Sequence, residues 1–131
     1  MSDEITALLQ SSMPLCGSLG VRGVESSPEQ VVLEVDWSAD LCTTGGVLHG
    51  GVVMALADTA GAVCAFANLP DGASFTTTIE SKTNFLGAVT EGTVRATARP
   101  LHVGRTTIVV ETEVRVDDRL VAKTTQTQAV R

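Results

Sequence analysis

The chain has 131 residues, 44% of them apolar, and a formal net charge of -6 from 15 acidic and 9 basic side chains. That length suits one domain over 1–131 with a buried core, and 18% charged residues is too few for a disordered chain. The acidic total and the scarcity of aromatics (Trp37, Phe66, Phe75 and Phe85, no Tyr) provide neither a basic footprint nor a stacking platform, which argues against nucleic acid as a partner.

Residues 3–11 (DEITALLQS) place Ile5, Leu8 and Leu9 at helical spacing behind acids in the first turn, predicting a short amphipathic helix. Residues 19–26 and, past Ser27-Pro28, residues 30–37 predict a strand pair with Val31, Leu33, Val35 and Trp37 on one face. After a loop with Gly45 and Gly46, the stretch from about His49 to Ala67 is apolar on nearly every side and predicts a buried helix. Its Ala and Gly content lets another backbone approach closely. Past Pro70-Asp71-Gly72 the texture changes to alternation, predicting a strand. Phe75, Thr77, Ile79, Ser81, Thr83 and Phe85 fall on one parity, and Thr76, Thr78, Glu80, Lys82 and Asn84 on the other. Breaks at Glu91-Gly92, Val103-Gly104 and Asp117-Asp118 delimit segments 93–103, 105–116 and 119–130, an antiparallel meander that is bulged or at an edge around Pro100. One apolar helix among this many strands implies an α+β fold in which a curved antiparallel sheet wraps the helix. The edge and the part of the helix that one sheet leaves open imply a dimer that continues the sheet.

Met1-Ser2-Asp3-Glu4 is acidic with no apolar segment behind it, and the run 47–67 contains His49, Asp58 and several glycines, so neither a secretory leader nor a membrane span is expected. Cys16, Cys42 and Cys64 are odd in number and far apart, without the spacing of disulfides or a zinc site, and the expected location is cytoplasmic.

Asp58 is the one charge between Asp40 and Asp71 and falls mid-helix in an apolar run. A desolvated carboxylate costs on the order of several kcal/mol unless partnered. It reads either as half of an interface ion pair with an arginine or as a base or nucleophile. Leu48-His49-Gly50-Gly51 opens the same helix. Its first-turn N–H groups are unbonded at the positive end of the dipole and glycine admits a ligand oxygen, which suits an oxyanion, with His49 able to orient a carbonyl. The plainer reading is a tight loop-to-helix turn capped by His49. Gly50 and Asp58 lie about 12 Å apart along a helix axis at ~1.5 Å per residue, too far to touch one carbonyl. A reacting group that needs both must take the carboxylate from a neighbouring subunit whose helix runs antiparallel alongside, giving two shared sites per dimer.

Arg95, Arg99, His102 and Arg105 form the densest basic cluster. Arg95 reads as a solvated face offsetting Glu111 and Glu113, whereas Arg105, beside the Val103-Gly104 turn, is better placed to meet a phosphate. No Walker loop, GxSxG elbow, GxGxxG fingerprint or HExxH helix is present.

The run GGVLHGGVVMALADTAG, followed by TTTIESKTNFLGAVTEG and RPLHVGR, resembles the hotdog-fold acyl-CoA thioesterases of the phenylacetate-degradation (PaaI) type. The resemblance extends from about Cys42 to Val130, and more weakly back to Leu19. It implies a long central helix wrapped by a curved antiparallel sheet of five to six strands. It further implies a homodimer with shared active sites, commonly paired into a homotetramer, with no metal and no cofactor beyond the coenzyme A carried by the substrate. On the family pattern Asp58 activates water or attacks the thioester carbonyl, the Gly50 N–H polarises that carbonyl with Gly51 beside it, His49 helps hold it, and Thr78 positions water. Arg105, with His102 and Gly104 in the HVGR turn, matches positions that contact the nucleotide part of coenzyme A. Six residues before His49, where better studied members carry Asn or Gln, this chain has Thr43, whose hydroxyl cannot present an amide donor and acceptor together. The expected activity is hydrolysis of a medium-chain or aryl acyl-CoA. The alternatives are a hotdog protein that binds acyl-CoA without turnover, and a hydratase or dehydratase with a differently placed His and acid pair. The charge is divided along the chain: residues 1–71 hold 9 acidic and 1 basic side chain, residues 72–131 hold 6 acidic and 8 basic. The -8 half contributes the helix and its acid, and the +2 half contributes the strands and Arg105, so a local positive field for phosphates is compatible with the acidic total.

Overall fold

The computed structural model describes residues 2–131, beginning with helix α1 (Ser2–Ser12), whose first turn carries Asp3 and Glu4 where the helix dipole favours acids. A second helix that the sequence pattern does not announce follows at once: α2 (Pro14–Leu19) starts on proline, where a backbone N–H is spare. It ends at Gly20, which takes φ 71° and bonds the carbonyls of Cys16 and Gly17. Six residues are too few to show a helical period, and the strand expected from residue 19 starts later as β1 (Arg22–Ser26).

The chain then forms β2 (Val31–Asp36), two short 3-10 turns (Ala39–Leu41 and Thr44–Gly46) and the central helix α3 (Gly50–Phe66). Strands β3 (Thr76–Phe85), β4 (Thr93–Val103), β5 (Thr107–Val116) and β6 (Arg119–Val130) complete it. The six strands make one antiparallel sheet in the order β1-β2-β4-β5-β6-β3, so the expected α+β architecture is present with its upper strand count. The register of β4 against β5 slips between Pro100 and His102, where the proline has no N–H to offer the ladder.

Helix α3 packs against β2, β3, β4, β5 and β6. Val53, Leu56, Ala57, Ala60 and Cys64 are buried among Leu33, Val35, Val94, Ile108 and Val110. The same burial pushes the Cys64 thiol up to about 11. Enclosure is incomplete, however: Gly51 and Met54 are exposed and Ala55, Asp58 and Ala62 half-buried, a stripe at three- and four-residue spacing along the helix. The open stripe lies on the side of β3, the last strand of the sheet, which bonds only β6. Phe75, Ile79 and Phe85 are 51, 60 and 51% exposed there.

Simple alternation places Thr78 on the opposite face of β3 from Ser81, Thr83 and Phe85. The structure corrects this: Thr78 pairs with Gln128 and Glu80 with Thr127, leaving Ile79 as the extra residue of a bulge. Beyond it Ser81, Thr83 and Phe85 pair with Gln126, Thr124 and Ala122, so the bulge puts Thr78 on the same, helix-facing side as these residues.

Gly23 of β1 lies beneath α1, where its N–H donates to the Thr6 hydroxyl at 2.8 Å and a Cβ would run into the Ile5 side chain. Gly23→Ala is expected to lift α1 off the sheet and destabilise by about 1–3 kcal/mol, as overpacking does. The measurements are a lower denaturant midpoint and faster amide exchange within residues 2–12.

Candidate active site

The loop before α3 is fixed by its backbone: the Leu48 N–H donates to the Val89 carbonyl at 2.8 Å and the His49 N–H to the Leu41 carbonyl at 2.9 Å. His49 is the N-cap, with φ -60° and ψ 132°, and its Nδ1 accepts from the Gly51 N–H at 2.8 Å. The His49 carbonyl accepts from Val52 and Val53 at 2.9 and 3.3 Å. These contacts realise the capping reading of His49 and engage the Gly51 N–H. The Gly50 N–H is left without an acceptor among the described residues, at the positive end of a 17-residue helix. Because Nδ1 accepts, a neutral His49 ring carries its proton on Nε2. A cavity of about 410 Å³ opens here, lined by Thr43, Leu48, Gly50, Val53 and Phe85. The absence of a side chain on Gly50 lets the Phe85 ring come close, since a Cβ would sit 3.2 Å from it.

Asp58, two turns further along α3, is half-buried on the open stripe. It is not sealed in the core, and no arginine of this chain pairs with it among the described residues. Its partners are uncharged. The Thr78 hydroxyl donates to Oδ1 at 3.1 Å, and the Gln126 amide donates to Oδ1 at 3.2 Å and to the Asp58 carbonyl at 3.4 Å. Gln128, fully buried like Gln126, donates to the Thr78 hydroxyl at 2.6 Å. Oδ2 has no hydrogen bond among the described residues. Both glutamines escape a reading by motif, yet they fall on the parity of buried Ala122 and Thr124 in β6, and polar residues on an inward parity are the available signal.

The third group of predicted residues sits at the β4–β5 turn. The Gly104 N–H donates to the Thr107 carbonyl at 2.9 Å, and the exposed His102 ring folds over Gly104, with Nε2 2.7 Å from where a Cβ would stand. Arg105 is exposed and lines a recess of about 460 Å³ with Asp71, Gly72 and Arg131. Thr107 pairs with Ala129, next to Gln128, which places this turn at the same end of the sheet as Asp58. Arg95 meets Glu34 at 2.7 Å across β2 and β4, whereas Glu111 and Glu113 are matched by Lys123 and Arg115. Arg105 and Arg131 have no ion-pair partner among the described residues. A further apolar cavity of about 480 Å³ lies one helical turn beyond Asp58, between Ile5 and Leu8 of α1, Ala62 and Phe66 of α3, and Phe75.

The structure therefore gathers Asp58 with Thr78, Gly50 with Thr43, His49 and Gly51, and Arg105 with His102 and Gly104, as three separate groups. Residues 45–123, which contain the cap, the carboxylate and the turn, match the sequence profile of the Thioesterase superfamily. The chain belongs to that superfamily. It is 38% identical over 95 residues to ComA2 of Bacillus subtilis, named as a candidate esterase, covering 72% of this chain and 75% of that one. Among solved structures, thioesterase HI1161 of Haemophilus influenzae superposes with a TM-score of 0.90 at 25% identity, covering 100% and 90% of the two chains. A Ralstonia eutropha protein named as a candidate thioesterase related to phenylacetic acid degradation gives 0.82 at 26% identity, covering 90% of each. Thioester hydrolysis on a hotdog fold is the activity this membership carries. No described helix is long and apolar enough to cross a membrane.

His49→Ala removes the one side-chain cap of α3. Loss of such a cap costs about 1 kcal/mol, to be read as a lower denaturant midpoint with unchanged cooperativity.

Proposed function

We propose that the chain hydrolyses acyl-CoA thioesters at sites shared between two subunits. The observation that carries this reading is Asp58, a half-buried carboxylate on the open stripe of α3 with one oxygen held by Thr78 and the other unbonded. The thioester oxygen accepts from the Gly50 N–H, where the helix dipole stabilises the charge that develops as the carbonyl becomes tetrahedral. The free oxygen of Asp58 removes a proton from the attacking water, or attacks the carbonyl itself to give an anhydride that water then opens. In either case water's oxygen joins the acyl carbon, the carbon–sulfur bond breaks, and the thiol of coenzyme A leaves with a proton. Thr43 and His49 flank the carbonyl on the Gly50 side, and Thr78 steers the water.

Gly50 and Asp58 of one α3 cannot serve one carbonyl across about 12 Å. A second copy pairing along β3 extends the sheet, covers Phe75, Ile79 and Phe85, and lays two open stripes side by side with opposite direction, so that Asp58 meets the partner's Gly50. Such dimers pair further into a homotetramer by the family pattern. The apolar cavity beyond Asp58 fits a medium-chain or aryl acyl group, and Arg105 with Arg131 supplies charge for the phosphates. Buried free thiols at Cys16 and Cys64 suit a reducing cytoplasm.

Asp58→Asn is expected to lower kcat on an acyl-CoA panel at least about 100-fold while binding persists, the scale of losing a general base. Gly50→Pro removes the N–H, because proline is accommodated at the first helical position and His49 already has the extended backbone that precedes proline; Gly50→Ala, which keeps the N–H and places the same Cβ against Phe85, is the steric control. Mixing the two dead variants under subunit exchange should restore roughly a quarter of the activity, since half the dimers are mixed and each has one intact shared site. No recovery refutes the sharing. Tight acyl-CoA binding by the wild type with no thiol release would instead mark a binding protein, a reading that Thr43 in the amide position favours.

Arg105→Ala should raise KM for acyl-CoA about 3- to 10-fold, the effect of one exposed charge-assisted contact. KM for the matching acyl-pantetheine, which lacks the nucleotide, should not change.

A further inference from the structure

A polar cluster on the inner face of the sheet remains that no step above uses. Gln126 and Gln128 are fully buried, Gln126 beneath α3, and an amide there must be desolvated. Gln126 Oε1 finds no hydrogen-bond partner among the described residues, so its burial there does not satisfy the amide as a whole. What Gln126 does make is a pair of donations from Nε2, to Asp58 Oδ1 at 3.2 Å and to the Asp58 carbonyl at 3.4 Å. Turning the amide round would set its oxygen against two acceptors, so the orientation is dictated by Asp58. Room for it comes from α3: a Cβ on Gly61, three residues after Asp58, would collide with the Gln126 carboxamide. The helix lacks a side chain at the place where the strand delivers an amide.

Gln128 acts at one remove. Its Nε2 donates to the Thr78 hydroxyl at 2.6 Å, which uses the oxygen of Thr78 as acceptor and leaves the hydroxyl proton for Asp58 Oδ1 at 3.1 Å. Two chains of donors thus end on the same carboxylate oxygen, one direct and one through Thr78.

We infer that Gln126 and Gln128 are positioning residues for the carboxylate, and that Gly61 exists to admit the first of them: together they pin Oδ1 of Asp58 and present Oδ2 to the substrate. This rests on Asp58 being the reacting group. No charged side chain of the same chain faces the carboxylate. On α3 the other titratable group is Cys64; on β3 Glu80 and Lys82 pair with Thr127 and Thr125, on the opposite parity from Ser81; on β6 Lys123 is engaged by Glu111 and Arg119 by the Ala88 carbonyl. Asp3 and Glu4 of α1 are exposed. The neutral donors are therefore what fixes the orientation of the carboxylate.

The test uses Gln126→Met and Gln128→Met in the full-length protein, alongside Asp58→Asn, with folding checked by thermal unfolding. In a folded Gln126→Met, kcat on the best acyl-CoA should fall roughly 10- to 100-fold with KM within about twofold, the worth of one donor to a charged acceptor. Gln128→Met should lower kcat in the same way by a smaller factor, and it decides the question if Gln126→Met does not fold. Unchanged kcat in whichever variant folds, or a loss of kcat/KM carried wholly by KM, with Asp58→Asn inactive, overturns the positioning role while leaving Asp58 in place. Turnover surviving in Asp58→Asn overturns both.

Discussion

Everything in this molecule follows from how close α3 lies to the sheet. A helix of large side chains would stand off, whereas Ala57, Ala60, Gly61 and Ala65 let the strands approach its backbone. The approach has two consequences at once. It buries the helix on its sheet side with small residues around Leu56 and Val53, and it lets side chains of β6 reach across to Asp58, which in a looser packing would face only solvent. Core packing and the geometry of the candidate site are thus one arrangement, and Gly61 is where they meet.

The second constraint is linear. A helix rises about 1.5 Å per residue, so a donor in its first turn and an acid two turns later cannot converge on one atom. The open stripe of α3 and the exposed apolar edge at β3 are on the same side of the chain, so the pairing proposed above covers both. An edge strand with Phe75, Ile79 and Phe85 exposed is otherwise an aggregation hazard, and no charged or prolyl residue blunts it at those positions. In the proposed dimer a site split across subunits and a continued sheet are therefore consequences of the same geometry.

How much of this is legible in the residues depends on the range of the interactions. The central helix, the four long strands and the bulge at Pro100 come from local period and proline chemistry, and they stand in the structure within a residue or two. Asp58 and the glycines of the cap stand out because charge in an apolar run and paired glycines are local anomalies. Helix α2 is hidden because six residues carry no period. The bulge at Ile79 is hidden because nothing in TTTIES distinguishes a bulged isoleucine from an alternating one, yet it decides which face Thr78 occupies. The partners of Asp58 are hidden because Gln126 and Gln128 come from a strand about 70 residues away, and Arg95 finds Glu34 through cross-strand register. Contacts set by register are the ones a linear reading does not supply.

Register also reconciles an acidic total with basic groups that stay unmatched locally. Arg22, Arg95, Arg115 and Lys123 are matched by Glu34, Asp36, Glu113 and Glu111. Asp36, held below the usual carboxylate range by the Arg22 guanidinium and the Thr93 hydroxyl, shows how fully such a pair is engaged. Pairing of this kind cancels charge locally, and at physiological ionic strength a field survives only within about 8 Å of an unmatched group. Arg105 and Arg131, flanking one recess without partners, are such groups, and they lie at the end of the sheet where Ala129 adjoins the buried glutamine that steers Thr78. A net charge of -6 therefore describes the surface average, while the local potential at this recess is set by Arg105 and Arg131 against Asp71, which lines it with them.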